Sequence, residues 1–248
     1  MPPAPPGPEA PDPDPEAEPA LVRVRWDHAT RIIASRYPPI DLFERVDGDP
    51  AVWEALIAAE MLTNPRIRDG LGEIALVAPE ERVAGPGATY VMASFTHLNP
   101  KGSRFSDGSY GVYYAAIDFP TARAETIYHF ERFARDSGDA VRDTDMRVVV
   151  GKVDERFHDI ASLPGPRRTA VLAPDDYTSS QALGRRLREA GSNGVVWPSV
   201  RHAAGTCLGA FRPKAVQPPV QERHIRYHYD GRRVSAWFDY ATSAWHAL

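Results

Sequence analysis

The stretch RFSDGSYGVYYAAIDFPTARAET, residues 104 to 126, decides how the fold of this sequence is interpreted. Its SDGS tetrapeptide is a turn signal, so Arg104 ends one extended segment and YGVYYAA begins the next. Side chains alternate along a strand, which puts Tyr110, Val112 and Tyr114 on one face. The pattern therefore predicts that Arg104 and Tyr114 point into the same space.

A helix is predicted directly after this strand. The DFPT segment stops the strand, and Asp118 or Thr121 is suited to cap a helix that runs through ARAETIYHFERFARD. Glu125 falls in the predicted first turn, where the helix dipole favours an ionised carboxylate by about 0.3–1 kcal/mol. The predicted buried stripe of the helix consists of Ile127, Phe130 and Ala134.

The rest of the chain mixes strand and helix signals. Three short β-branched runs bounded by glycine or proline are typical of core strands: RVVVGKV (147–153), TAVLA (169–173) and GVVW (194–197). Helices are predicted over 50–62 and over SSQALGRRLREA, which ends before Gly191. The DG dipeptide in HIRYHYDGRRVSAW predicts a hairpin. Because strands and helices do not alternate strictly, the sequence favours an α+β fold.

Composition limits the classes of function. The chain has 248 residues, 43% of them hydrophobic, and the proline-rich residues 1–20 are expected to be a disordered tail before one domain over 21–248. A net charge of −4 gives no general attraction to nucleic acid. The sequence has a single cysteine and shows neither a signal peptide nor an apolar run of membrane-spanning length, so we expect a cytoplasmic protein without a membrane partner.

A guanidinium, an aromatic ring and a carboxylate around one cleft suit a ligand with pyrophosphate, a flat cationic ring and ribose hydroxyls. Arginine binds phosphate oxygens in pairs, and tyrosine stacks on a pyridinium face. NAD has all three features. Breaking its nicotinamide–ribose bond develops positive charge on the sugar, which a preorganised carboxylate stabilises. The pattern therefore indicates an NAD-cleaving enzyme that uses Glu125, Arg104 and Tyr114.

Two segments resemble the RES domain, a family named for arginine, glutamate and serine and found in toxins of bacterial toxin–antitoxin systems. They are GSRFSDGSYGVYYAAIDFPTARAET and DDYTSSQALGRRLREAGSNGVVWPSVRHAAGTCLGAF, which together span about residues 100–215. The earlier ATRII resembles the first arginine-bearing strand of the family, although Ile32 stands where other members have tyrosine. The resemblance implies an ADP-ribosyltransferase-like split sheet, mixed or antiparallel, with flanking helices and an NAD cleft. It also implies that the segment before residue 100 is an N-terminal helical extension.

The resemblance also implies roles for individual residues. Arg104 would hold phosphate, Tyr114 would stack on nicotinamide, and Glu125 would orient the ribose and stabilise the developing cation. Arg31 would be a further NAD contact.

The serine function of the family would come from Ser199, or from Thr178 or Ser180, and Gln181 would add a hydrogen bond. Arg201 and His202 could meet an attacking anion. His97 and Asn99, which lead into Arg104, could also line the site, although a structural loop is the simpler interpretation.

The implied activity is NAD consumption, with inorganic phosphate or water as the acceptor of ADP-ribose. Two alternatives stay open: a mono-ADP-ribosyltransferase that modifies a protein, and a non-catalytic module that binds in an NAD-like cleft. Family precedent implies a helix-turn-helix antitoxin partner and a possible homodimer.

Two further interpretations compete with this one. Arg104 could merely pair with Asp107 across the turn. A zinc site could use His202, Cys207, His224 and His228. No close pair of cysteine or histidine ligands stands at motif spacing, so no metal is expected.

Overall fold

The computed structural model describes residues 17–36, 44 and 72–248. The predicted helix over 50–62 and most of the predicted tail lie outside the described residues. The first strand begins at Ala20, one residue before the predicted start of the domain. Among the described residues, none of the helices combines the length and the apolar character needed to cross a lipid bilayer.

The described residues form an eight-stranded sheet and four α-helices. The strands are β1 (Ala20–Ala34), β2 (Tyr113–Ala116), β3 (Arg142–Asp159), β4 (Gly194–Pro198), β5 (Thr206–Ala210), β6 (Val220–Tyr229), β7 (Val234–Asp239) and β8 (Ala244–Ala247). The helices are α1 (Ala88–Thr96), α2 (Phe119–Asp136), α3 (Gly165–Val171) and α4 (Thr178–Glu189). The predicted α+β class is confirmed.

The sheet is mixed and partly closed on itself. Its strand order is β1-β2-β5-β4-β3-β6-β7-β8, and β1 also pairs with β3, which closes the first five strands into a ring. The long β3 makes this possible because one of its edges pairs with β1, while the other pairs first with β6 and then with β4. The β3–β4 pairing is parallel, and the other pairings of named strands are antiparallel.

Two hydrophobic clusters cover the two faces of the sheet. We call one side the α2 face, where α2, α3 and α4 pack over buried residues that include Phe105, Trp197 and Cys207. The other is the α1 face, where α1 packs over buried residues that include Tyr113 and Phe157. Because side chains alternate along β2, Tyr113 belongs to the α1 face and Tyr114 to the α2 face.

The predicted cap of the helix after β2 is confirmed, but the position of Glu125 was predicted wrongly. The Asp118 carboxylate accepts a hydrogen bond from the Thr121 amide at 2.9 Å. The helix already begins at Phe119, with Pro120 in its first turn, and this turn holds no acidic residue. Proline fits the first turn because its missing N–H would be unpaired there anyway. Glu125 therefore lies in the second turn, and the dipole argument for its charge does not apply.

The TAVLA run was predicted as a strand and is wrong. Residues 169–171 complete α3, which has Pro166 in its first turn, and residues 172–173 follow the helix. Val171 is the buried residue of this helix. A short helix that buries one apolar side chain per turn therefore accounts for the apolar run without strand pairing.

Two other local predictions are confirmed: α4, with Gly191 at φ +79° behind it, and the hairpin of β6 and β7 around Gly231. The extended segment predicted to end at Arg104 is wrong, because Arg104 lies in a turn bridged by Ser103 and Ser106, and the strand predicted from Tyr110 begins at Tyr113.

Candidate active site

The centre of the candidate site is the carboxylate of Glu125. The Ser199 hydroxyl donates to Glu125 Oε1 at 2.6 Å, and the Cys207 thiol lies 3.5 Å from the same oxygen. Glu125 comes from α2, Ser199 from the turn after β4, and Cys207 from the start of β5. The fold thus joins residues that are 74 and 82 positions apart in sequence.

Ser199 both closes its own turn and orients the carboxylate. Its oxygen accepts the backbone N–H groups of Arg201 at 3.1 Å and His202 at 3.0 Å. Because those two donors occupy the oxygen lone pairs, the single hydroxyl hydrogen is directed to Glu125. Ser199 therefore stabilises its own turn and orients the carboxylate with the same hydroxyl group.

Sequence reasoning missed the role of Cys207. Its side chain is buried, and this burial, followed by the nearby Glu125 charge, raises the pKa of the thiol. The group is therefore a neutral S–H donor to the carboxylate at neutral pH. No sequence motif signals this contact, because it depends on the register between β4 and β5.

Arg104 is buried, with 6% of its surface exposed, and its guanidinium faces the segment after α3. It donates to the carbonyls of Ala173 at 2.9 Å, Pro174 at 3.4 Å and Val171 at 3.5 Å, and it stacks on the Tyr177 ring at 4.6 Å. The predicted alternative of a pair with Asp107 is wrong, because Asp107 pairs with Arg185 instead. Arg104 thus holds residues 173–177 against the site.

Tyr114 lies beside the turn that carries Arg104, as predicted. Its hydroxyl hydrogen-bonds with Ser103 Oγ at 2.8 Å and accepts the Phe105 N–H at 3.0 Å. Burial raises the pKa of Tyr114 to about 12, so the phenol is neutral in physiological conditions. The Tyr114 ring meets the Trp197 ring edge-on at 6.1 Å, and the buried indole N–H of Trp197 has no acceptor.

A cluster of cations and rings surrounds the 173–177 segment. The Arg201 guanidinium stacks on the Tyr128 ring at 3.4 Å and donates to the Pro174 carbonyl at 2.6 Å. Asp175 accepts from the Tyr128 hydroxyl and lies 3.4 Å from Arg201. The guanidinium of Arg132 lies 6.0 Å from the Tyr177 ring. Several arginines therefore converge on one short segment next to Glu125.

The remaining predicted residues divide between this group and other places. Of the three candidates for the serine function, Ser199 contacts Glu125, whereas Ser180 donates to the Tyr177 carbonyl and Thr178 is exposed at the start of α4. Gln181 donates to the Ser103 carbonyl at 3.0 Å, which ties α4 to the Arg104 turn.

The structure does not bring Arg31 into the Glu125 group. Its guanidinium stacks on Tyr113 at 4.7 Å, on the α1 face, and donates to the Tyr114 backbone carbonyl at 2.9 Å. The predicted NAD contact of Arg31 stays a prediction. His202 bonds with Thr121 at 3.1 Å beside Ser199, and Asn99 closes its own loop through the Gly102 carbonyl.

Two surface clefts lie away from the Glu125 group. One, of about 550 Å³, is lined by residues that include Val22, Trp26 and Pro198. The other, of about 620 Å³, is lined by residues that include Gln221 and His224. Glu125 lines neither cleft, although the first is also lined by Trp197 and Thr206, which precede Pro198 and Cys207 in the chain. Across residues 17–36, 44 and 72–248, no cluster of three histidine, cysteine or acidic side chains could hold a metal ion.

The sequence model of the RES domain matches residues 79–230. The chain belongs to the RES domain family. Residues 104–207, which contain Arg104, Tyr114, Glu125, Ser199 and Cys207, lie inside the RES domain, and Arg31 lies before it.

Two comparisons with individual proteins complete the description of this RES domain protein. It is 30% identical over 209 residues to the uncharacterized protein y4oC of Sinorhizobium fredii (strain NBRC 101917 / NGR234), covering 84% of this chain and 86% of that protein. The crystal structure of the M. tuberculosis MbcT–MbcA toxin–antitoxin complex has a chain that matches with a TM-score of 0.40 and 13% identity, covering 84% of this chain and 87% of that chain.

Proposed function

We propose that this protein is an NAD-consuming enzyme that cleaves the nicotinamide–ribose bond and acts as the toxin of a toxin–antitoxin pair. The observation that carries the proposal is the Glu125 carboxylate, oriented by the Ser199 hydroxyl at 2.6 Å, next to a cluster of arginines within a RES domain. This arrangement offers a fixed negative charge for a cationic sugar and positive charges for phosphates.

Glu125 would act on the bond that breaks. The bond between ribose C1 and the pyridinium nitrogen cleaves, its electron pair goes to the nitrogen, and neutral nicotinamide leaves. The ribose becomes oxocarbenium-like, and the carboxylate stabilises this charge more strongly in the transition state than in the ground state. An oxygen of phosphate or water then bonds to C1, and in the case of water a proton is released.

Tyr114 and Trp197 would hold the nicotinamide. Their rings meet edge-on at 6.1 Å, and the flat nicotinamide cation would stack on the face of one of them. The unpartnered indole N–H of Trp197 supports this assignment, because the nicotinamide carboxamide supplies a matching acceptor.

The arginine cluster would bind the pyrophosphate by exchanging its present hydrogen bonds to backbone carbonyls for hydrogen bonds to phosphate oxygens. Arg104 and Arg201 now donate to backbone carbonyls of residues 171–174, and phosphate oxygens accept charge-assisted hydrogen bonds more strongly than carbonyls do. Binding would therefore move residues 173–177 away from these guanidinium groups. Gln181, Ser180 and Thr178 lie at the base of this segment and would complete the NAD contacts.

Inorganic phosphate is the acceptor that the geometry favours over water. Arg201 follows Ser199 in the chain, and its guanidinium and the Glu125 carboxylate both lie close to His129, so a cation lies near the acid. An anion would be drawn to this position, and phosphorolysis would give ADP-ribose-1-phosphate.

The proposal includes a protein partner. RES domain toxins occur with helix-turn-helix antitoxins, and such a partner would inhibit the enzyme by occluding the site; a homodimer is also expected by family analogy. Expression of the chain alone should arrest bacterial growth, and co-expression with the protein of an adjacent helix-turn-helix gene should restore it.

The direct test is NAD turnover by the purified protein, with and without inorganic phosphate, followed by mass spectrometry of the products. We expect phosphate-dependent loss of NAD, and Glu125→Gln should lower kcat by at least about 100-fold, in the range for loss of one electrostatic contact. The matched control is Glu189→Gln, which removes an exposed carboxylate from α4. Cleavage without phosphate would indicate hydrolysis, and label on a protein would indicate a transferase. Turnover that survives Glu125→Gln, or no NAD loss by folded protein, would reject the assignment.

A further inference from the structure

Arg147 is a buried cation that the proposed activity does not use. It lies in the middle of β3, and only 8% of its surface is exposed. Its neighbours Met146 and Val148 belong to the core of the α2 face, so Arg147 points to the α1 face. It is thus separated from Glu125 by the sheet.

The guanidinium of Arg147 lacks the partners that a buried charge requires. Within the part of the chain that the structure describes, its Nε and Nη1 atoms make no hydrogen bond, and both are inaccessible to solvent. The nearest carboxylate on the same face of the strand, Asp145, is taken by Arg226 at 2.8 Å and by the Tyr240 hydroxyl at 2.9 Å. An unpaired buried charge costs several kcal/mol in real proteins. A bound anion would offset this cost.

A second buried arginine lies close to Arg147 on the same face. In the β1–β3 register Arg31 pairs with Val149 and Ile33 pairs with Arg147, so the two arginines are diagonal neighbours across the strands. Burial lowers the pKa of Arg31, and its Nε atom also has no partner. Two guanidinium groups with unpaired donors therefore lie within one patch of the sheet.

An opening to solvent borders this patch. On β6, His224 pairs with Arg147 and Gln221 pairs with Val149, which puts both side chains on the α1 face. His224 and Gln221 line the cleft of about 620 Å³. Their side chains hydrogen-bond to each other at 2.9 Å, and the imidazole also contacts Ser35 Oγ at 3.3 Å. Asp145, Glu222 and Arg223 also line this cleft, and Arg147 lies behind it as the cross-strand neighbour of His224.

We propose that Arg147 is the centre of a second ligand site that binds a small oxyanion, with Arg31 beside it and Gln221 and His224 at the entrance. The chemistry is that of a phosphate group, because arginine binds its tetrahedral oxygens with paired, charge-assisted hydrogen bonds. Free inorganic phosphate and the phosphate group of a small metabolite share this chemistry. The proposal does not depend on NAD cleavage.

The test is binding of inorganic phosphate by calorimetry and by its effect on Tm, at constant ionic strength with sodium chloride as reference. Phosphate at about ten times its Kd should raise the Tm by at least about 3 °C. Arg147→Met should weaken phosphate binding at least tenfold. Arg147→Lys should give a Kd between those of the wild type and the methionine variant, and it replaces that variant in the test if Arg147→Met does not fold. The matched control is Arg156→Met, which removes an exposed arginine from the same strand.

The design separates this site from the Glu125 group. The same titration in an Arg104→Met, Arg201→Met double variant removes the two α2-face arginines assigned to phosphate, and the Arg147-dependent rise in Tm should persist there. Glycerol phosphate as a second probe distinguishes a free phosphate site, which rejects it, from a phosphomonoester site, which binds it. If neither probe binds, or if Arg147→Met binds both as the wild type does, the proposed site does not exist.

Discussion

Arg104 and Arg147 are both buried, with 6% and 8% of their surfaces exposed, but they lie on opposite faces of the same sheet. Arg104 has three backbone carbonyls and an aromatic ring around its guanidinium. Among the described residues, two solvent-inaccessible nitrogens of Arg147 have no partner, and its guanidinium lies 5.7 Å from the Tyr90 ring. The two guanidinium groups are therefore buried to the same extent, but they differ in the number of hydrogen-bond acceptors around them.

The difference separates two ways in which a protein keeps a cation ready for an anion. At Arg104 the chain supplies substitute acceptors, so the empty site is stable and a ligand must compete with residues 171–174. At Arg147 no acceptor among the described residues pairs with Nε or Nη1, so burial of the charge is costly and a bound anion would offset that cost. The two arginines should accordingly respond in opposite directions when each is replaced by an apolar side chain.

The largest effect is expected for Arg104→Met. The change leaves the Ala173 carbonyl without its donor at 2.9 Å and removes the stacking on Tyr177, so unfolding free energy should fall by about 2–4 kcal/mol. Urea unfolding followed by circular dichroism measures it, with Arg185→Met as a control at the exposed partner of Asp107. An unchanged midpoint would mean that the carbonyl contacts contribute nothing to stability.

Arg147→Met should have the opposite sign. In phosphate-free buffer the change replaces an unpaired buried charge by an apolar chain of similar length, which should raise the unfolding free energy by about 1–3 kcal/mol. The same urea titration should give a smaller or reversed difference as phosphate is added. A loss of stability in phosphate-free buffer would show that Arg147 is satisfied in the empty protein, and the contrast with Arg104 would fail.

The parts of this fold that follow from the sequence are those with local causes. The Asp118 cap, α4 with Gly191 behind it and the Gly231 hairpin each depend on a few adjacent residues. The TAVLA segment was misjudged because an apolar run does not reveal whether its buried residues, here Val171 with Leu172 packed beside it, belong to a strand or to a helix end.

The site was predictable only in part, for a related physical reason. The resemblance to a family singled out Arg104, Tyr114, Glu125 and Ser199, and the structure brings the last two together. The contact of the Cys207 thiol with Glu125 and the packing of residues 173–177 against Arg104 depend on strand register and on the packing of segments that are distant in sequence. Neither leaves a periodic signal in the chain.

The dependence of stability on alkaline pH gives a third comparison, at Tyr114, which lies beside the turn that carries Arg104. Burial raises the pKa of Tyr114 from 10.0 to about 12, so its neutral form is favoured in the folded state. The resulting stability is complete below pH 10 and is lost as the pH rises toward 12. Between pH 10 and pH 11, the stability difference between wild type and Tyr114→Phe should fall by about 1 kcal/mol, because the unfolded-state tyrosine is already half ionised at pH 10. A difference independent of pH would show that Tyr114 ionises as freely in the folded protein as in the unfolded chain.

The smallest effect tests whether the two faces respond separately. Asp118→Ala removes the cap of α2, the helix that carries Glu125, and should cost about 1 kcal/mol, while Asp118→Asn should cost much less because asparagine also caps helices. Because α2 packs on the face opposite Arg147, the alanine variant should weaken NAD turnover but leave phosphate binding at Arg147 unchanged. A parallel loss of phosphate binding would mean that the sheet transmits changes between its faces, and the two arginines would then form one coupled system.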